Sequence, residues 1–228
     1  YLQLGAELLS GRSFPAGGAE NGDSAHTVFI KLGGDVGVSH SWQLGLSRWQ
    51  ADVASRSSGG HAHGGTAAEE FAFNGDSAIN ALDLVWKWAP NGNPRQRNLK
   101  LQFEYFQRDE DGDVTNTANV VETTRYDGSQ SGWYAQAVYQ FQPQWRVGLR
   151  YDQLEANNSG SDMVVLSEAG LDDEGHTPTR SSLMLDYNHS EFSRLRLQYN
   201  QDDSSENPDQ QIYLQYVMSL GAHGAHQF

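Results

Sequence analysis

His61 and His63, two residues apart in the stretch GGHAHGG, are the side chains best suited to metal chemistry in this 228-residue chain. Imidazole nitrogen is a common ligand for zinc and copper. With Glu69 or Glu70 from the same glycine-rich loop, the pair could make a weak, exchangeable zinc capture site. A tight structural site needs four ligands in fixed geometry, which such a loop does not supply. His223 and His226 in GAHGAHQF read instead as interface residues near the terminus. The run DEDGD at 109–113 has the composition of a calcium loop, but neither the spacing nor the terminal Glu of an EF-hand. A weakly bound zinc is therefore the one cofactor to expect. The chain carries no Gly-x-Ser-x-Gly, P-loop, His-Glu-x-x-His or dinucleotide fingerprint, so it is not expected to be an enzyme. A net charge of −14 argues against nucleic acid as a partner.

A second chemical pattern is charge at alternate positions of otherwise apolar segments. Lys31, Lys100, Arg146, Arg150, Arg194 and Arg196 recur this way, with the carboxylates Glu104, Asp152 and Asp186 among them. If these positions face one lumen, two readings compete. Charges inside a barrel are normally paired, so they could brace a closed interior. Alternatively, they line a water-filled pore whose arginines draw anions. Arg146 and Arg150 fall on one segment and Arg194 and Arg196 two segments later, so their convergence does not follow from spacing.

The elements that carry these residues read as strands. In QQIYLQYVMSLGAHGAHQF, Ile212, Leu214, Tyr216, Met218, Leu220 and Ala222 form one face, the period of a strand and not of a helix. The run is longer than the 5 or 6 residues of a usual soluble strand and suits the roughly 9–11 needed to cross a membrane. Tyr216, Met218, Leu220 and the terminal Phe228 look like the C-terminal insertion signal of outer-membrane barrels. Ten such segments can be marked, from Leu2–Leu8 through Trp145–Tyr151 to the last. Connections alternate between long (13–26, 52–77, 107–130, 155–180, 200–210) and short or, at 90–97, moderate (39–41, 90–97, 142–144, 188–192), as expected of long extracellular loops and short periplasmic turns. Trp42, Trp88, Phe141, Trp145 and Tyr187 lie toward the short turns. Tyr105, Trp133, Tyr151 and Tyr199 lie toward the long loops, and together they suggest two aromatic girdles.

Bulk properties agree. Apolar residues make up 37% and mean hydropathy is −0.65, too polar for a helical membrane protein but compatible with a barrel, where alternate residues face lipid. No run of eighteen apolar residues exists. The long loops hold 22 of the 29 acidic residues and 4 of the 15 basic ones, an acidic mouth or simply a solvated one. Zero cysteines fits an oxidising compartment. The opening on Tyr1, already inside an alternating stretch, leads one to expect processing or truncation upstream.

Several long stretches carry a family resemblance: LVWKWAPNGNPRQRNLKLQFEYFQRDEDG, YDGSQSGWYAQAVYQFQPQWRVGLRYDQL, SEFSRLRLQYNQD, YLQYVMSLGAHGAHQF and the opening LGAELLSGRSFPAGG. They resemble the C-terminal part of a proteobacterial family labelled zinc-regulated TonB-dependent outer membrane receptor, or porin-like outer-membrane protein. The resemblance covers nearly the whole chain and implies further strands upstream. A TonB-dependent receptor also needs a plug domain and a TonB box, neither of which these residues carry, so a passive porin stays open. The combined expectation is an all-β, antiparallel up-and-down transmembrane β-barrel. On this expectation residues 1–228 would form one barrel domain of about ten strands, which the resemblance makes part of a larger barrel in the outer membrane of a Gram-negative bacterium. Expected partners are outer-membrane lipid and lipopolysaccharide, the barrel assembly machinery, and TonB if a plug exists. The expected role is passage of small solutes, zinc or a metal chelate included, with a non-transporting structural or adhesion barrel as the alternative.

Overall fold

The computed structural model describes residues 1–17, 25–58, 70–118, 122–172, 175–205 and 207–220. Ten strands follow one another: β1 (Leu2–Leu9), β2 (Ala25–Val36), β3 (His40–Ser58), β4 (Phe71–Trp88), β5 (Asn98–Asn116), β6 (Thr123–Gln142), β7 (Trp145–Gly160), β8 (Thr179–Ser190), β9 (Ser193–Asp203) and β10 (Asp209–Met218). A two-turn helix, α1 (Met163–Glu168), interrupts the β7–β8 connection, and a single 3-10 turn sits at Pro90–Gly92. Every strand pairs antiparallel with its sequence neighbour, giving one sheet in the order β1 to β10. Among the described residues β1 and β10 have one neighbour each, so the sheet is open.

Register follows from the apolar alternation. Trp42, Trp86, Leu101, Ala137, Leu149, Leu183, Tyr199 and Ile212 stand directly opposite one another from β3 to β10. A one-residue slip of any strand would move its whole apolar set to the other face. The resulting apolar face has no cover: Leu149 is 59% exposed, Ile212 75% and Leu214 74%. The opposite face carries the alternating charges.

The four longest strands, and β7 to Gly160, run further than the apolar pattern indicated. Of the segments 52–77 and 107–130, expected as long loops, the described residues are mostly strand: β3 runs to Ser58, β4 starts at Phe71, β5 runs to Asn116 and β6 starts at Thr123. DEDGD is thus part of β5 and not a loop of calcium type; alternation puts Asp109, Asp111 and Asp113 on one face and Glu110 on the other. Apolar periodicity missed this because the outer positions here turn polar while the backbone ladder continues. At 18–20 residues these strands project beyond the apolar belt.

On the charged face of this projection lies the larger of the two buried clusters among the described residues. Val53, Phe71, Phe73, Val114 and Tyr126 pack with Val165, Leu166, Ala169 and Leu171 of the β7–β8 connection. Phe73 meets Tyr126 edge-on at 5.7 Å between ring centres. The connection folds back because α1 is capped: Asp162 accepts from the Val164 and Val165 amides at 3.0 and 3.4 Å. Gly170, at φ 64°, lets the chain leave the helix. Gly160 lies under Leu166, where a Cβ would come within 2.6 Å of Cδ1. Ser58 Oγ donates to the Ala169 carbonyl at 2.9 Å, fastening the cap to β3.

Candidate functional site

The charged face carries most of the residues expected to line a lumen. Lys100, Arg146, Arg150, Asp186, Arg194 and Arg196 border a single groove of about 460 Å³, with Gln102, Gln136, Gln198 and Asn98 supplying neutral amides. The spacing argument left convergence of Arg146 and Arg150 with Arg194 and Arg196 undecided; register decides it. Arg146, Asp186 and Arg196 stand directly opposite one another on β7, β8 and β9. Lys31 lies apart on β2, opposite Gly45, and Glu104 faces Tyr134 on β6.

Ion pairing is uneven. Asp186, fully buried, takes the fork of Arg196: Nε donates to Oδ1 at 2.7 Å and Nη2 to Oδ2 at 2.9 Å. Asp152 takes Arg150, with Nε at 2.9 Å from both oxygens, and the guanidinium lies 3.8 Å over the Tyr134 ring. Arg146, on the other side of Asp186, is left with a neutral acceptor, Gln140 Oε1, at 3.1 Å. Gln140 is buried and donates from Nε2 to the carbonyls of Pro94, Arg95 and Gln96, so the 90–97 turn holds it in place. Arg194 keeps a buried Nε with no hydrogen-bond partner. Lys100 stands directly opposite Lys87. Among the described residues no ion pair involves Lys100, Arg146 or Arg194. A second groove of about 780 Å³, bordered by Asn188, Phe192 and the 143–144 turn, shares Asn98, Arg146 and Arg194 with the first and leads to the short-turn end.

A different polar network supports the capped end. Arg56 grips Glu110 through Nη1–Oε1 at 2.6 Å and Nη2–Oε2 at 2.8 Å. Arg108 Nη2 adds a bond to Oε2 at 2.6 Å and Ser77 Oγ one to Oε1 at 2.7 Å. Burial pushes the Glu110 carboxyl up, but the Arg56 hydrogen bonds, the two guanidinium charges and Ser77 outweigh it and hold the group below its ordinary value. Burial, then the Glu110 charge, raises the Tyr126 hydroxyl to about 12. On the opposite face Asp52, Asp76, Asp111 and Asp127 stand in one row across β3–β6. A hydrogen bond with Asp52, then burial and the charges of Asp52 and Asp111, raise the Asp76 carboxyl. Arg125 reaches Asp111 and, at 3.9 Å, Asp113.

Two features were not found from sequence. Gln140 gave no signal, since its role depends on the fold of the 90–97 turn. A repeat, Tyr-x-Gln-x-acid, was legible but passed over: YFQRD at 105, YDQLE at 151 and YNQDD at 199. On β5, β7 and β9 each tyrosine Oη donates to the glutamine two residues on, at 2.8, 3.5 and 3.3 Å. Each glutamine donates to the following carboxylate, at 3.0, 2.7 and 3.1 Å. These ladders mark where the uncovered face turns from apolar to polar.

Of the expected insertion signal, Tyr216 and Met218 sit on the apolar face of β10 and Leu220 follows the strand, exposed. Phe228 lies outside the described residues, as do His61, His63 and Glu69. Among the described residues no three His, Cys, Asp or Glu side chains are placed to hold a metal ion, and no helix is long and apolar enough to cross a membrane.

No protein-family profile matches the chain, and no solved structure matches it. It is 29% identical over 247 residues to an uncharacterized protein of Aquifex aeolicus (strain VF5), a match covering 100% of this chain. The chain spans 48% of that relative's length, about half.

Proposed function

We propose that this chain is part of an outer-membrane β-barrel through which small solutes pass, of the porin-like or receptor-like kind that its sequence resembles. One observation carries the reading: ten strands paired antiparallel in chain order present a wide, uncovered apolar face, backed by a face of guanidinium, ammonium and carboxylate groups. Contiguous apolar patches of this extent are rare on soluble monomers, and a bilayer covers such a face without any protein partner. Closure of the free edges, with one another or through further strands, would satisfy the backbone groups that lipid cannot. The polar ladders above Tyr105, Tyr151 and Tyr199 fit the boundary between hydrocarbon and headgroups. Lipid and lipopolysaccharide would then surround the belt, the barrel assembly machinery would insert it, and TonB would engage only a form with a plug. The resemblance adds zinc or a chelate to the candidate solutes.

Purified protein folded in detergent and added to planar bilayers should give discrete current steps. Protein that stays soluble and folded without detergent would sink the membrane reading. A second reading, a non-transporting barrel, is favoured by the cap of α1 and its connection over the loop end of β5–β7. Insertion into bilayers with no current would support it.

A further inference from the structure

We infer that the groove between β5 and β9 is a binding site for a small, multiply charged oxyanion, held by Arg146, Arg194 and Lys100. The inference rests on the transport reading only in taking the groove as open to water. Five cationic side chains, Lys100, Arg146, Arg150, Arg194 and Arg196, border it. Of the carboxylates nearby, Asp152 and Asp186 are committed to Arg150 and Arg196 by double hydrogen bonds, and Glu104 accepts from the Tyr134 hydroxyl beside Arg150. Register gives Asp186 a choice between Arg146 and Arg196, and its whole fork goes to Arg196. Arg146 is thereby a pre-positioned guanidinium, oriented by Gln140 and lacking a counter-charge.

Two further features favour an anion beside Lys100 and Arg194. Lys100 and Lys87 face each other directly across β4 and β5, and like charges so placed repel. Arg194 has a buried, unsatisfied Nε, which is costly unless a ligand accepts from it. An oxyanion with two or more negative charges would offset the repulsion and accept that bond. Guanidinium forks match phosphate and carboxylate oxygens, and the amides of Gln102, Gln136 and Gln198 can donate to the rest. Monovalent chloride offers neither the charge nor the directional acceptors. Arg146 and Arg194 also border the outer groove toward the short turns, so the ligand would meet them on the way in or out.

Calorimetric titration of inorganic phosphate into the detergent-folded protein reads this site without any current. Saturable binding is expected, weakened at least about tenfold in R146Q/R194Q and unchanged in R125Q, which lies on the far face of the projection. R146K/R194K, keeping charge but losing the forks, should fall between. Should the double glutamine variant not fold, R194Q, whose side chain makes no ion pair, carries the comparison. Equal affinity in wild type and R146Q/R194Q, absence of saturable binding, or displacement of phosphate by an equal concentration of chloride would each overturn the site. Phosphate binding without current would overturn transport and leave the site standing. Current without phosphate binding would do the reverse.

Discussion

Glu110 shows how a single residue can hold the projecting strands together. Its carboxylate is shared by Arg56, Arg108 and Ser77 in a place almost closed to water. Glu110→Gln would leave two guanidinium groups buried beside a neutral amide, a loss of about 3–5 kcal/mol for a buried pair broken from one side. Faster limited proteolysis of 52–77 and 107–130, with the apolar belt still protected, is the expected readout. Because the folded carboxyl lies below its ordinary value of 4.5, this stability is full above that value and lost as pH falls through the lowered one. Asp76 has the opposite sign. It stands between Asp52 and Asp111 with its carboxyl raised above 3.8, so ionisation at neutral pH opposes the fold and mild acid relieves it. Asp76→Asn should stabilise the projection by about 0.5 kcal/mol at pH 7, seen as a higher unfolding midpoint that shrinks toward wild type near pH 4.

At the scale of elements, α1 and its connection act as a lid fastened by packing. Leu166 is fully buried against residues of β3–β6, and Leu166→Ala should cost about 2–5 kcal/mol by cavity formation. The cap, not the sheet, should respond: hydrogen exchange at 163–171 rises while the β7–β9 ladder keeps its protection. If the cap restricts passage, the same variant raises single-channel current. An unchanged exchange pattern would mean that the connection is held by something other than this core.

For the whole molecule, the decisive property is the uncovered apolar face. Leu149 lies mid-belt on β7 and Gln153, on the same face, lies beyond Tyr151. In a bilayer Leu149→Arg should cost roughly 2–4 kcal/mol, and Gln153→Arg about 0–1, because the penalty for a cation falls off toward the interface. Urea unfolding of both variants in lipid vesicles checks this. Equal penalties would remove the depth dependence, and with it the lipid as the covering phase.

Much of the fold was legible in the chain. A strict period of two, shared by Trp133–Phe141, Trp145–Tyr151 and Ile212–Met218, is strong because it reports a sheet with one apolar face, and short turns between neighbours leave a meander as the simplest pairing. The polar partners of that alternation, Arg146, Arg150, Arg194 and Arg196, were identified from the same parity. What sequence could not supply was anything depending on neighbours brought in by pairing. Glu110 looked like one acid in an acidic loop, and only continuation of the β4–β5–β6 ladders showed that its parity sends it inward to Arg56. Likewise Asp186 is within reach of two arginines on different strands. Which one it neutralises, and so which is left to meet a ligand, is set by side-chain geometry across three strands and a glutamine held by a distant turn. Alternation along one strand is a local property and survives in the sequence; the competition of two cations for one carboxylate exists only once the strands are side by side.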